Sequence, residues 1–412
     1  MSLFRRTKNN DKPLLRQIID LIPRYLINQS IKKYSTDKYC HKYKTYDQLV
    51  AFLFGQLCKC STLEDISVGL GVSETFIKDL GLQQSPAKST MSDGNKNRDW
   101  RVFEDLYNKL LQHYSSSLSK HNHQQIIEEV KAKTILIRDS STISVCLGLF
   151  DWAKFRTAKG GIKIHTQWDE ALMLPNLVCI GEAATHDSKG FDQVVFAKDT
   201  IIIEDKGYWD FEVIKARIKA HNTFVTRIKD NTVYQVIQEL ELPDKEDQHI
   251  LKDESIYLTG TKAKENGLSE IPLRRVVVYD SEKDLQLVII TNNHTWKAAT
   301  IAALYKRRWD IEIFFKLLKQ NLNVKTFIGT SQNAVKSQIF IALIAYLLLE
   351  LLRRVKAKGK TAFSNFVEKI RICLCYYLTL DYVIQRIQPR ARSVVPRQTT
   401  LQLESQNTLF NT

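Results

Sequence analysis

The run Tyr305-Lys306-Arg307-Arg308-Trp309-Asp310-Ile311-Glu312-Ile313-Phe314-Phe315-Lys316-Leu317-Leu318-Lys319 sets one carboxylate among regularly spaced cations. That combination points to phosphate chemistry, in which an acid holds a hard cation and basic side chains hold phosphate oxygens. At about 100° per residue, Tyr305, Arg308, Glu312, Lys316 and Lys319 fall within a helical stripe of roughly 80°. Leu304, Ile311, Phe314, Phe315, Leu318 and Leu322 make another face, so the apolar side is expected to dock on a core while the stripe looks outward. A solvated face stabilised by Glu and Lys pairs has the same appearance, and further acids are needed to make a site of it.

Two upstream segments supply them. Lys133-Thr134-Ile135-Leu136-Ile137-Arg138-Asp139-Ser140-Ser141-Thr142 is a β-branched run ending in an acid and turn-forming hydroxyls. Thr200-Ile201-Ile202-Ile203-Glu204-Asp205-Lys206-Gly207-Tyr208 is too apolar for a surface strand and ends in an acid and a glycine turn.

The spacing Y-x2-R-x3-E-x6-K, with Asp139-Ser140-Ser141-Thr142 and Asp205-Lys206-Gly207-Tyr208, resembles the signatures of bacterial DDE transposases of the insertion-sequence 4 family. Lys163-Ile164-His165-Thr166 resembles that family's K-x-H-T strand, and Thr185-His186-Asp187 its His-Asp turn. The likeness covers roughly 130 to 350, with weaker similarity at Ser61-Thr62-Leu63-Glu64-Asp65-Ile66 and Lys88-Ser89-Thr90-Met91-Ser92-Asp93. It implies a ribonuclease-H-like α/β core in which Asp139, Asp205 and Glu312 are the catalytic, metal-binding acids. Tyr305, Arg308 and Lys319 then contact the DNA backbone, with Lys316 on the same stripe. Trp296 matches an aromatic that stacks on a base displaced from the DNA end; an ordinary core Trp is the competing reading.

Three acids suit the reaction. A phosphodiester attacked in line by water or a 3′-hydroxyl develops charge on the attacking and leaving oxygens, and two hard cations about 3.5–4 Å apart neutralise it. Two Mg2+, with Mn2+ substituting, need few protein carboxylates because waters and phosphate complete their shells. Glu204 precedes Asp205 by one and should face the other side of its strand. Asp310 lies about 200° round the helix from Glu312. His165 reads either as a catalytic assistant or as a hydrogen-bonded strand histidine. Arg156, Lys159 and Lys163 line a phosphate path or merely solubilise a loop.

The composition agrees with a polyanionic partner: 60 Lys+Arg against 45 Asp+Glu give a formal net charge of +15 over 412 residues. Seven scattered cysteines, with neither a disulfide framework nor a C-x2-C zinc pattern, read as reduced and mostly buried thiols. No secretory signal opens the chain. The apolar run from Ile339 to Leu349 stops at Glu350, too short for a bilayer, and reads as a buried helix of a protein without membrane partners.

The elements that must position the acids come next. Residues 1–115 are expected to be an all-helical domain that binds DNA ends, with helices over Thr45–Cys60, Glu74–Leu80 and Asp99–Tyr114. The pair around Gly71 resembles a helix-turn-helix or an ordinary helical hairpin. Residues 116–130, with Ser115-Ser116-Ser117 at their start boundary, read as a linker. A catalytic domain over 131–330 has strands near 134–139, 162–168, 172–182 and 200–205, a helix from Tyr208 to Ala220 and a strand at Thr223–Ile228. Alternating β-branched runs and charged turns at about 232–297 suggest an inserted β subdomain, which the family also has. C-terminal helices over 331–388 and a tail over 389–412 complete the organisation.

The expected function is a transposase that binds terminal inverted repeats and target DNA, cleaves strands and transfers them. It is expected to work as a homodimer in a synaptic complex in the bacterial cytoplasm, associated with the nucleoid. A non-catalytic repressor derived from such an enzyme and a stand-alone nuclease of the same fold are the alternatives.

Overall fold

The computed structural model describes residues 11–122, 127–146, 148–150, 152–156, 159–184, 191, 194–242 and 249–387. The Thr185-His186-Asp187 turn, the tail from 389 onward and the side chains of Arg156 and Lys159 lie outside this description.

The chain opens with helices α1 (Leu14–Ile19), α2 (Arg24–Tyr34), α3 (Thr45–Cys58), α4 (Leu63–Gly71), α5 (Glu74–Asp79), α6 (Lys88–Asn97) and α7 (Arg101–Lys120). Capping chemistry sets several starts. The Thr62 hydroxyl accepts from the Asp65 N–H at 3.0 Å while the Asp65 carboxylate accepts from the Thr62 N–H at 2.9 Å, a reciprocal box that starts α4. Ser73 caps α5 in the same sense, accepting from the Phe76 N–H. The serine-rich stretch read as the start of a linker continues α7 instead. Tyr114 and Leu118 extend the buried stripe of Val102, Phe103, Leu106, Leu110 and Leu111, and this packing outweighs serine's modest helix penalty.

The strands are β1 (Ile135–Val145), β2 (Lys154–Arg156), β3 (Lys159–Asp169), β4 (Leu174–Glu182), β5 (Ile201–Glu204), β6 (Thr223–Arg227), β7 (Tyr234–Glu239), β8 (Ile250–Leu258), β9 (Leu273–Asp280) and β10 (Leu285–Thr291). They form one sheet in the order β2-β3-β1-β5-β6-β10-β9-β8-β7, with β4 paired to β3. β1 runs antiparallel to β3, whereas β1, β5 and β6 are parallel neighbours. Helix α8 (Phe211–Lys219) makes the β5–β6 crossover, the connection that a parallel pair requires. Strands β7 to β10, the region read as an insertion, extend this sheet because β10 pairs antiparallel with β6. With α8 and the short α9 (Thr261–Glu265) they enclose a second core around Trp209, Phe224, Ile256, Leu258 and Ile290.

Helices α10 (Ala298–Lys306), α11 (Trp309–Asn321), α12 (Gln332–Leu351), α13 (Phe363–Ile372) and α14 (Leu380–Ile387) follow. α12, with the turn after it, is long and apolar enough to cross a membrane, but its most apolar window is 94% buried inside the fold. Apolar on all sides, it must be enclosed, and it packs against α3, α6, α7 and α11. The N-terminal helices therefore share one core with the helices that carry Glu312. The cysteines are free, as expected, but none is fully buried: Cys146 and Cys375 are exposed and the rest half-buried. Cys58, Cys60 and Cys373 pack against the rim of the main core without being enclosed by it.

Candidate active site

Asp139 and Asp205 are brought together by strand register. The parallel β1–β5 ladder pairs Ile135 with Ile201 and ends at Arg138 opposite Glu204, so the next residue on each strand is an acid at the carboxyl end of a parallel pair. Open α/β sheets place their sites at such ends. β1 itself does not stop at Asp139, as its hydroxyl-rich continuation suggested. It runs on to Val145 against β3, because Ile143 still alternates into the core. What ends at Asp139 is its pairing with β5, and that leaves the carboxylate room.

The third acid arrives on α11. The expected single helix across the Tyr305–Lys319 stretch divides into α10 and α11, with Arg307 and Arg308 in a tight turn whose N–H groups reach three residues back to Leu304 and Tyr305. α10 lies against β5 and β6, and α11 against β1. The first turn of the stripe consequently does not look outward. Tyr305 is 2% exposed and Arg308 8%, because this end of the stripe faces the carboxyl ends of the strands. Lys316 alone of the stripe's cations is openly exposed.

Arg308 lies between two of the acids. Its Nη1 is 2.6 Å from Glu312 Oε1 and 3.3 Å from Asp139 Oδ2. The Tyr305 hydroxyl donates to Asp205 Oδ1 at 3.4 Å. Lys319 Nζ donates to the Thr142 carbonyl at 3.2 Å, tying α11 to the far half of β1. The pairing of Arg308 with Asp139 and Glu312 was not among the sequence expectations, although four-residue spacing to Glu312 was itself a signal for a side-chain pair. Trp296 sits in the turn before α10, partly buried against the main core, with its backbone held by Asn293 and Arg274. No hydrogen bond or ring contact joins it to the three acids among the described residues. His165 is buried in β3 with its ring edge-on to Phe191 at 5.8 Å.

Burial pushes the Asp139 carboxyl up to about 6, with Glu312 and Asp205 adding repulsion and the Ser140 N–H and Arg308 opposing it. Burial likewise raises the Tyr305 phenol to about 12, so it remains a donor to Asp205 at neutral pH. Lys319 is lowered by burial and by Lys325. Among the described residues no group of three His, Cys, Asp or Glu side chains is arranged to hold a metal ion. The donor set nevertheless suits a hard cation: three carboxylates on separate elements, two of them already sharing a positively charged nitrogen.

Residues 130–348 match the family described as Transposase DDE domain, a span that contains all three acids. The chain belongs to the DDE transposase family. Residues 10–83 of this transposase also match a domain of unknown function, DUF4372. It is 30% identical over 265 residues to a Geobacillus stearothermophilus protein assigned as the transposase for insertion sequence element IS5377, covering 64% of this chain and 69% of that one. It is 32% identical over 274 residues to one assigned as transposase y4zB of Sinorhizobium fredii, covering 66% and 73%. A solved piggyBac transposase synaptic complex with hairpin DNA aligns at TM-score 0.44 and 12% identity, over 97% of this transposase and 89% of that chain.

Proposed function

We propose that this transposase is of the insertion-sequence 4 type and cleaves and rejoins DNA at Asp139, Asp205 and Glu312. The observation that carries the reading is the meeting of two acids at the ends of adjacent parallel strands with a third from the helix packed against them. The order β4-β3-β1-β5-β6, antiparallel through its first three strands and parallel through its last three, supports a ribonuclease-H-like core.

The three acids would hold two divalent cations, Mg2+ with Mn2+ able to replace it, which supply charge neutralisation at the attacking and leaving oxygens. The chain's own residues do the rest. Tyr305 orients Asp205 through its hydroxyl. Arg308, Lys316 and Lys319 hold phosphates beside the scissile one, and Trp296 stacks on a base at the DNA end. The helices of residues 1–115 bind the terminal inverted repeats, and a homodimer pairs two ends before joining them to target DNA, in the bacterial cytoplasm at the nucleoid. The net charge of +15 favours such a partner.

The deciding experiment incubates the full chain and Asp205→Asn with duplexes carrying the repeats that flank its reading frame, in Mg2+, Mn2+ or chelator. Metal-dependent nicking and joining by the wild type alone supports the reading. Equal products from Asp205→Asn, or binding without any cleavage by the wild type, refutes it.

A further inference from the structure

Arg308 stands where a shared cation between Asp139 and Glu312 would stand. It does not clasp either acid with the two-pronged fork that guanidinium groups usually present to carboxylates; the single atom Nη1 serves both, at 2.6 and 3.3 Å. Among the described residues its Nε is buried without a hydrogen-bond partner, while its carbon lies over two aromatic rings, 5.7 Å from the Tyr305 ring centroid and 5.5 Å from that of Trp309. A residue only 8% exposed, with one nitrogen bridging two carboxylates from different elements, is held in place by the charge of those acids together with the two aromatic faces.

We infer that Arg308 is a resident counter-cation that keeps divalent metal out of the site until a DNA phosphate draws its guanidinium away, so that metal loading is coupled to DNA binding. This rests on Asp139 and Glu312 being metal ligands. A phosphate offers Arg308 the bidentate partner it lacks, and its departure leaves two carboxylates whose mutual repulsion a divalent cation relieves. Such coupling must be reciprocal: if DNA tightens metal binding, metal tightens DNA binding by the same factor.

The test is calorimetric titration of Mn2+ into the full chain without DNA, for wild type, Arg308→Ala, Arg308→Lys and Asp139→Asn, repeated for wild type and Arg308→Ala with a short mixed-sequence duplex present. Arg308→Ala is expected to bind Mn2+ about ten-fold or more tightly than wild type, since one unit charge a few ångströms away is removed. Arg308→Lys, which keeps a charge but not the reach to both acids, should fall between them, and it decides the matter alone if the alanine variant does not fold. The duplex should tighten Mn2+ binding by the wild type and not by Arg308→Ala. Asp139-dependent binding that is no tighter in either variant, or that DNA tightens equally in both proteins, overturns the counter-cation role while sparing the ligands. Binding indifferent to Asp139→Asn overturns the ligand assignment and the inference with it.

Discussion

Arg138 and Glu204 face each other across the parallel β1–β5 pair, Nη1 to Oε1 3.5 Å, one residue before Asp139 and Asp205. Alternation along the strands sends this pair into the fold and the two following acids to the opposite side. Glu204 is 1% exposed and also accepts from Arg217 of α8 at 2.5 Å, so one carboxylate pairs with two buried guanidinium groups. Glu204→Ala should therefore cost about 3–5 kcal/mol of stability, the penalty for leaving buried charge unpaired. Asp205→Asn should leave the urea midpoint nearly unchanged and abolish cleavage. Equal midpoints for Glu204→Ala and wild type would contradict this division of labour.

Asp139 makes the stability of the metal-free protein depend on pH. Its carboxyl is raised from an ordinary value near 3.8 to about 6, chiefly by burial, so the folded chain holds this proton more tightly than the unfolded one. The corresponding stabilisation is fully present below about pH 4 and is lost as pH rises through 6. Asp139→Asn carries no such penalty. In chelator its advantage over wild type should be small near pH 4.5 and grow to the order of 2 kcal/mol by pH 7. Denaturant unfolding of both proteins across that range checks it, and an advantage that shrinks with rising pH would reverse the sign assigned to burial.

The strands and helices that carry the acids were legible because their signals are local. Apolar β-branched runs ending in Asp139 and Asp205 give strands, and the alternation rule separates Glu204 from Asp205 without coordinates. Long-range packing was not legible. Nothing near Ser115 announces that Leu118 will extend the buried face of α7. Nothing in the 232–297 segment says that β10 will pair with β6 rather than start a separate sheet. A helical wheel showed the Tyr305–Lys319 stripe but not that its first turn faces the other acids, because a wheel has no neighbours.

α12 makes the helical start of the chain a structural requirement. It is buried on faces that α3, α6 and α7 cover, and Phe340 stacks on Trp100 at 5.6 Å between ring centroids. Deleting residues 1–115 uncovers a long apolar helix, an exposed patch of the kind that drives aggregation. The truncated chain should be insoluble, or soluble only with loss of the cooperative unfolding transition, and should not survive as an active core. A monodisperse truncated protein with wild-type metal-dependent nicking of nonspecific DNA would show that the catalytic half folds alone.

Lys319 and Lys316 separate a structural cation from an exposed one on the same stripe. Lys319 Nζ already donates to the Thr142 carbonyl, and its partial burial lowers its pKa, whereas Lys316 is exposed. Lys319→Ala should cost on the order of 1 kcal/mol of stability, a charged hydrogen bond discounted for partial exposure. If Lys319 also holds a phosphate, the slope of log affinity against log salt should become shallower by about one unit in that variant. Lys316→Ala should leave stability unchanged and alter the slope only if a phosphate passes over this turn. End-binding isotherms from low to moderate salt, read beside urea midpoints for both variants, give the two quantities independently. A stability loss in Lys319→Ala with an unchanged slope would confine Lys319 to holding α11 on β1 and remove it from the DNA path.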